Sequence, residues 1–151
     1  MHVIRIITDI AAPAEQCFDL ARDVDAHLES AADTGERIVG GRTSGRMELG
    51  DTVTFEARHF GVRQQLTSRI TAFDRPHSFQ DRMVRGVFRF FEHDHLFETL
   101  PDGRTRMTDV LRFRVPLGMF GWPVGRWIVG PHLRRFLARR ASVLKALAEQ
   151  K

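Results

Sequence analysis

Two alternating runs, Phe88 to Leu100 and Arg104 to Phe113, are separated by Pro101-Asp102-Gly103. Each member of that trio has its own reason to turn the chain. Pro101 presets φ, Asp102 bonds its own backbone, and Gly103 takes a positive φ. A three-residue loop sets Leu100 opposite Arg104. Counting outward, it sets Glu98 opposite Arg106, Phe97 opposite Met107, His95 opposite Asp109, His93 opposite Leu111 and Glu92 opposite Arg112. In this register opposite charges meet on one face and mainly apolar groups on the other, and a slip of one residue scrambles both. The second face carries Phe91, His93, His95 and Phe97 beside Met107, Asp109, Leu111 and Phe113. Two imidazoles and a carboxylate therefore fall on the inner side of a sheet. Buried polar groups there must find partners in each other or in something bound.

The rest of the chain supplies what such a hairpin needs. His2 to Ile10 reads as a strand rich in β-branched residues. Pro13 suits the first helical position, with Glu15 in the first turn. Asp23 or Asp25 then breaks the helix before a second short one over Val24 to Ala31. Strands are expected at Arg37 to Arg42, Thr52 to His59, Val62 to Phe73 and Ser78 to Val84. The middle two alternate cleanly, with Val53, Phe55, Ala57 and His59 sharing a face. Val62, Gln64, Leu66, Ser68, Ile70 and Ala72 share the matching face on the next strand. Phe60-Gly61 is a poor pair for a two-residue turn, which suggests a bulge. From Pro131 to about Glu149, Leu133, Phe136, Leu137, Ala141, Leu144, Leu147 and Ala148 recur at helical spacing, with the arginines mostly opposite. The fold class is α+β in one domain over residues 1–151. A curved antiparallel sheet of about seven strands wraps a long C-terminal helix, leaving room for a small molecule between them.

Composition removes several alternatives. With one cysteine, Cys17, there is no internal disulfide and no zinc pattern. No secretion signal and no apolar run of bilayer length is present, so a cytoplasmic location is expected. No phosphate-binding glycine motif occurs, and no cofactor is implied. The net charge of +4 hides a basic end, because Arg126 to Lys151 holds seven basic residues and one acid. That end either forms a solvated helix face or meets an anionic surface. No nucleic-acid motif accompanies it.

The order of elements resembles the helix-grip, START-like superfamily, most closely its bacterial polyketide cyclase/dehydrase-like subgroup. The resemblance covers essentially the whole chain. It is carried by Ala12 to Phe18 after the first strand, Asp25-Ala26-His27 ending the helix pair, Phe91 to Phe97, Gly103 to Asp109, and Pro116-Leu117-Gly118 before the terminal helix. It implies a START-like ligand-binding domain, and the superfamily spans carriers, cyclases, hydrolases and stress proteins.

Two function classes follow. In the first, the protein binds, or binds and transports, a hydrophobic small molecule such as a lipid, polyketide or isoprenoid. Phe55, Leu66, Phe91, Phe97, Met107, Leu111 and Phe113 supply apolar walls, while His59, Gln64 and His93 direct polar groups. In the second, His95 tuned by Asp109 acts as the acid/base of a cyclase or dehydratase. The plainer role for that pair is a structural bond satisfying both groups. His93 and His95, two apart on one strand, resemble a metal pair that His59 or Asp109 would complete, but alternation alone also produces them, and no metal is assigned. Met119, Phe120, Trp122 and Trp127 either pack inward ahead of the helix, which the hydrophobic effect favours, or form a membrane-touching edge. The expected partners are the ligand and, through the basic helix, a membrane surface, with the protein a monomer or homodimer.

Overall fold

A computed structural model describes residues 1–31 and 35–150. Lys151, counted in the basic end, lies outside the described residues. Seven strands form one antiparallel sheet in the order β1-β7-β6-β5-β4-β3-β2. They are β1 (His2–Ile10), β2 (Arg37–Gly41), β3 (Thr52–His59), β4 (Val62–Asp74), β5 (Ser78–Arg85), β6 (Phe90–Thr99) and β7 (Thr105–Arg114). Helices α1 (Ala14–Ala21) and α2 (Val24–Ser30) follow β1, and α4 (Gly130–Glu149) ends the described chain. Asp23 marks the break between α1 and α2, its side chain accepting from the Ala26 amide at 3.0 Å. Pro13 sits one residue earlier than expected, at the N-cap of α1.

The β6–β7 hairpin takes the register set by Pro101-Asp102-Gly103, from Thr99 opposite Thr105 to His93 opposite Leu111 and Phe90 opposite Arg114. Gly103 has φ +87°, and the Asp102 carboxylate accepts from the Arg104 amide. The charged side chains of the outer face do not all take the partner opposite them in the hairpin. Arg106 reaches Asp9 on β1, and Arg112 bonds Asp94 at 2.5 Å while Glu92 lies 3.7 Å away.

One turn and the course of β4 differ from expectation. Phe60 and Gly61 both have positive φ, 54° and 74°, and His59 pairs directly with Val62, so the turn is a tight two-residue one with no bulge. A phenylalanine in that region is strained, and its ring rests on His132, 4.4 Å away. Register shifts fall instead between Ile38 and Gly40, between Thr67 and Ser68, and between Ile70 and Ala72; the last of these matters for the core. The added residue exchanges the faces of everything after it. Ala72 is exposed, and Phe73 turns inward onto Phe18.

Helix α4 lays Leu133, Leu137, Arg140, Ala141, Leu144 and Ala148 against the sheet. Near the N-terminal end of α4, Leu133 and Leu137 meet Ile4, Leu111 and Phe113. Near its C-terminal end, Ala141, Leu144 and Ala148 join Phe18, Phe79, Phe97 and Met107. The lead-in to α4 is helical too. A 3₁₀ turn (Gly118–Phe120), α3 (Gly121–Val124) and a π-helical stretch (Gly125–Val129) run into one another. The expectation that this segment packs inward is not met, for Met119 is 83% exposed and Phe120, Trp122, Trp127 and Ile128 are also exposed.

Candidate ligand cavity and histidine–carboxylate cluster

Between the sheet and α4 lies a cavity of about 160 Å³, room for roughly ten water molecules. Its mouth is framed by Phe60 at the β3–β4 turn, Val87 in the β5–β6 loop and His132 on the first turn of α4. Alternation places Phe55, His59, Gln64 and Leu66 on its wall from β3 and β4, and Phe91, His93, His95 and Leu111 from β6 and β7. Three expected wall residues are elsewhere. Phe97 and Met107 lie near the closed turn of the hairpin, where Phe18 and α4 cover them. Phe113, at the far end of β7, is covered by the His2 ring at 5.1 Å and by Leu133 and Leu137. All three point inward as the register requires, but into packed core.

His95 and Asp109 do meet, Nδ1 to Oδ1 at 3.3 Å. The same Oδ1 accepts from His93 Nε2 at 3.0 Å. The other nitrogen of His95, Nε2, bonds Asp81 Oδ2 at 2.7 Å. Asp109 therefore sits behind the two imidazoles, off the cavity surface, and of the two carboxylates bonded to His95 it is Asp81 on β5 that faces the cavity. The rings stack: Phe79 on His95 at 4.1 Å, and His95 on His93 at 3.8 Å.

Both nitrogens of His95 thus face carboxylates, an arrangement that suits the doubly protonated ring. Burial opposes that charge, yet the bonds to Asp109 and Asp81 outweigh it and raise the pKa. His93 goes the other way. Burial and then the His95 charge hold it below its ordinary value against the pull of Asp109. Asp109, though buried, is held far below the carboxylate range by its two imidazole partners. Asp81 is likewise lowered, the His95 bond overcoming burial. The cluster is thus an imidazolium between two carboxylates, with a neutral imidazole stacked on it. Asp81, His93 and His95 offer ligand atoms within 4.8 Å of one another. A cation held by these three groups would have to displace the proton that His95 shares with Asp81.

Two further pairs line the cavity. At the mouth, His59 Nδ1 and His132 Nε2 share a proton at 2.8 Å. Burial lowers both pKa values, and for His132 the neighbouring ring adds to it. Deeper, His27 stacks on Phe55 at 4.2 Å and bonds Glu36. Sequence reasoning missed Asp81, His27, Glu36 and Arg140. Asp81 was available from alternation with Phe79 once β5 was registered against β6, where Phe79 faces His95 and Asp81 faces His93. Arg140 was available from helical spacing, three residues after Leu137 and four before Leu144. His27 and Glu36 carry no local signal, because the fold alone brings them to β3.

The structure resembles several solved ones. The ZhuI aromatase/cyclase from Streptomyces matches with a TM-score of 0.78 at 16% identity, over 99% of this chain and 94% of that one. A Thermus thermophilus protein matches with a TM-score of 0.76 at 18% identity, over 96% and 95%. A START superfamily protein from Mycobacterium smegmatis gives 0.71 at 17%, over 99% of both. These likenesses establish the helix-grip fold. No curated protein matches the sequence significantly. Residues 1–149 match the family described as polyketide cyclase/dehydrase and lipid transport. With the match spanning nearly the whole chain, this protein belongs to that family.

Proposed function

We propose that the protein binds a hydrophobic small molecule, such as a lipid, polyketide or isoprenoid, in the cavity between sheet and α4. The observation carrying this is a mostly apolar enclosed space with few, fixed polar groups, the general form of a small-molecule site. Protein purified under native conditions and extracted should yield a bound apolar compound by mass spectrometry. If no compound is recovered and apolar probes are not taken up, the reading fails.

A cyclase or dehydratase is the second reading, favoured by one feature: the bonded His95–Asp81 pair is presented to the cavity. A charged imidazole beside a carboxylate holds both an acid and a base for proton transfer to a carbonyl compound. His95→Ala distinguishes the two. An enzyme loses turnover and keeps its affinity for the ligand, whereas a binder shows no turnover with the ligand it retains.

The ligand's route is part of the same proposal. The exposed Met119, Phe120, Trp122, Trp127 and Ile128 precede Val129, which lines the cavity. The guanidinium of Arg126 lies 4.6 Å from the Trp127 ring. Aromatic groups beside basic ones suit the interface of an anionic membrane. No helix among the described residues is long and apolar enough to cross one. The chain has two tryptophans, both in this patch, and no tyrosine, so its long-wavelength fluorescence reports the patch alone. Phosphatidylglycerol vesicles at low salt should shift that emission to shorter wavelength, and raised salt should weaken the effect. An unchanged spectrum with sedimentation separate from the vesicles would remove the membrane from the mechanism.

A further inference from the structure

Arg140 sits in the middle of the buried stripe of α4, lines the cavity and is 8% exposed. Its Nε is buried with no hydrogen-bond partner. Among the described residues no carboxylate pairs with it. The contrast with the other buried charges is sharp. Arg22 holds Asp19 at 2.8 Å and the Met47 carbonyl at 3.0 Å. Glu56 takes Arg37 and Arg63. Asp109 takes two imidazoles. Two acids that line the same cavity are already engaged, Asp81 with His95 and Glu36 with His27. The charge of Arg140 lowers the pKa of both Asp81 and His27 through its field.

A guanidinium cannot escape burial by losing its proton. A lone one inside a cavity therefore costs stability in the empty protein, and a group that enters and pairs with it recovers that cost. The fork of N–H donors fits a planar carboxylate with two parallel bonds. Arg140 carries one charge, and Asp81 and Glu36 already bring negative charge to the cavity wall, so a singly charged carboxylate suits the site better than a doubly charged phosphate. We propose that the ligand is a carboxylic acid, its head bound by Arg140 and its apolar body running past Phe91 and Phe136 toward the mouth. This rests on the ligand-binding reading above and gives the ligand its chemical class.

Matched pairs test it: octanoate against octanamide, and 2-naphthoate against 2-naphthamide, titrated calorimetrically at neutral pH. The acid of a pair should bind about tenfold or more tightly than the amide, the range of a charge-assisted bond. In Arg140→Met that advantage should vanish while amide affinity is kept. Arg140→Lys, with the charge but not the fork, should restore part of it. Unliganded Arg140→Met should also melt above the wild type, and octanoate should raise the melting temperature of the wild type more than that of Arg140→Met. Equal affinity for acid and amide in the wild type, or an advantage that survives Arg140→Met, overturns the assignment and leaves the ligand-binding reading standing. Failure of all four compounds to bind overturns both.

Discussion

Asp109→Ala should lower the unfolding free energy by about 3–5 kcal/mol, the usual cost of removing one partner from a buried ionic contact. The loss is large because one oxygen serves two donors. Oδ1 accepts from His93 at 3.0 Å and from His95 at 3.3 Å, and the three residues are 6% exposed or less. Without it, a charged ring and a neutral ring are left with buried N–H groups that water does not reach. Urea unfolding near pH 6.5 measures the effect. Asp9→Ala, which breaks the exposed pair with Arg106, should change little, and a similar small change for Asp109→Ala would refute the buried cluster. The pH profile follows from the directions of the shifts. The pKa of His95 is raised, so its stabilisation is complete below about pH 6.5 and is lost as pH climbs through the higher folded value. His93 is lowered, so below about pH 6.5 the unfolded chain takes a proton that the folded ring refuses, and stability falls. Asp109 is lowered, so its contribution stands above about pH 4 and fades only in stronger acid. The two histidines together place an optimum near pH 6.5. Asp109→Ala should flatten the alkaline arm, since His95 then keeps only Asp81.

How much of this was legible depends on whether the signal was local. The β6–β7 register follows from one turn and strict alternation, so the facing of His93, His95 and Asp109 could be read directly. Alternation gives a side, however, and not what lies on it. Phe97, Met107 and Phe113 face inward like Phe91, but α1, α4 and His2 come from distant parts of the chain to cover them. The position of Asp81 needed the pairing of β5 with β6, which short strands leave open. The exchange of Ala72 for Phe73 came from a bulge that no residue type announces. Arg140 was the opposite case. Its spacing put it on the buried stripe, and its charge argued for the other side. Where pattern and residue type disagree in this way, the disagreement itself marks a position answering to function rather than to stability.

Phe18→Ala should cost about 3–5 kcal/mol, comparable to the loss of Asp109 but by a different route. Phe18 has no exposed surface and is met edge-on by Phe73, Phe79 and Phe97, with ring centres 5.2–5.4 Å away. Those rings come from β4, β5 and β6, so this one side chain ties α1 to three strands. Deleting it leaves a sealed void, because Phe18 is off the cavity wall and its neighbours are held by strands that cannot collapse inward. Phe79 makes the informative comparison. It packs in the same cluster but also lines the cavity and stacks on His95. Phe79→Ala opens its void into space that already exists, so the unmatched cavity surface is smaller and the stability loss should be less than for Phe18→Ala. The exposed imidazolium loses its aromatic cover, and the enlarged pocket should accept a bulkier apolar probe than the wild type does. Thermal or urea unfolding of the two variants, with titration of graded apolar probes, measures both consequences. Equal stability losses with no change in the accepted probe size would mean that Phe79 does not form part of the wall.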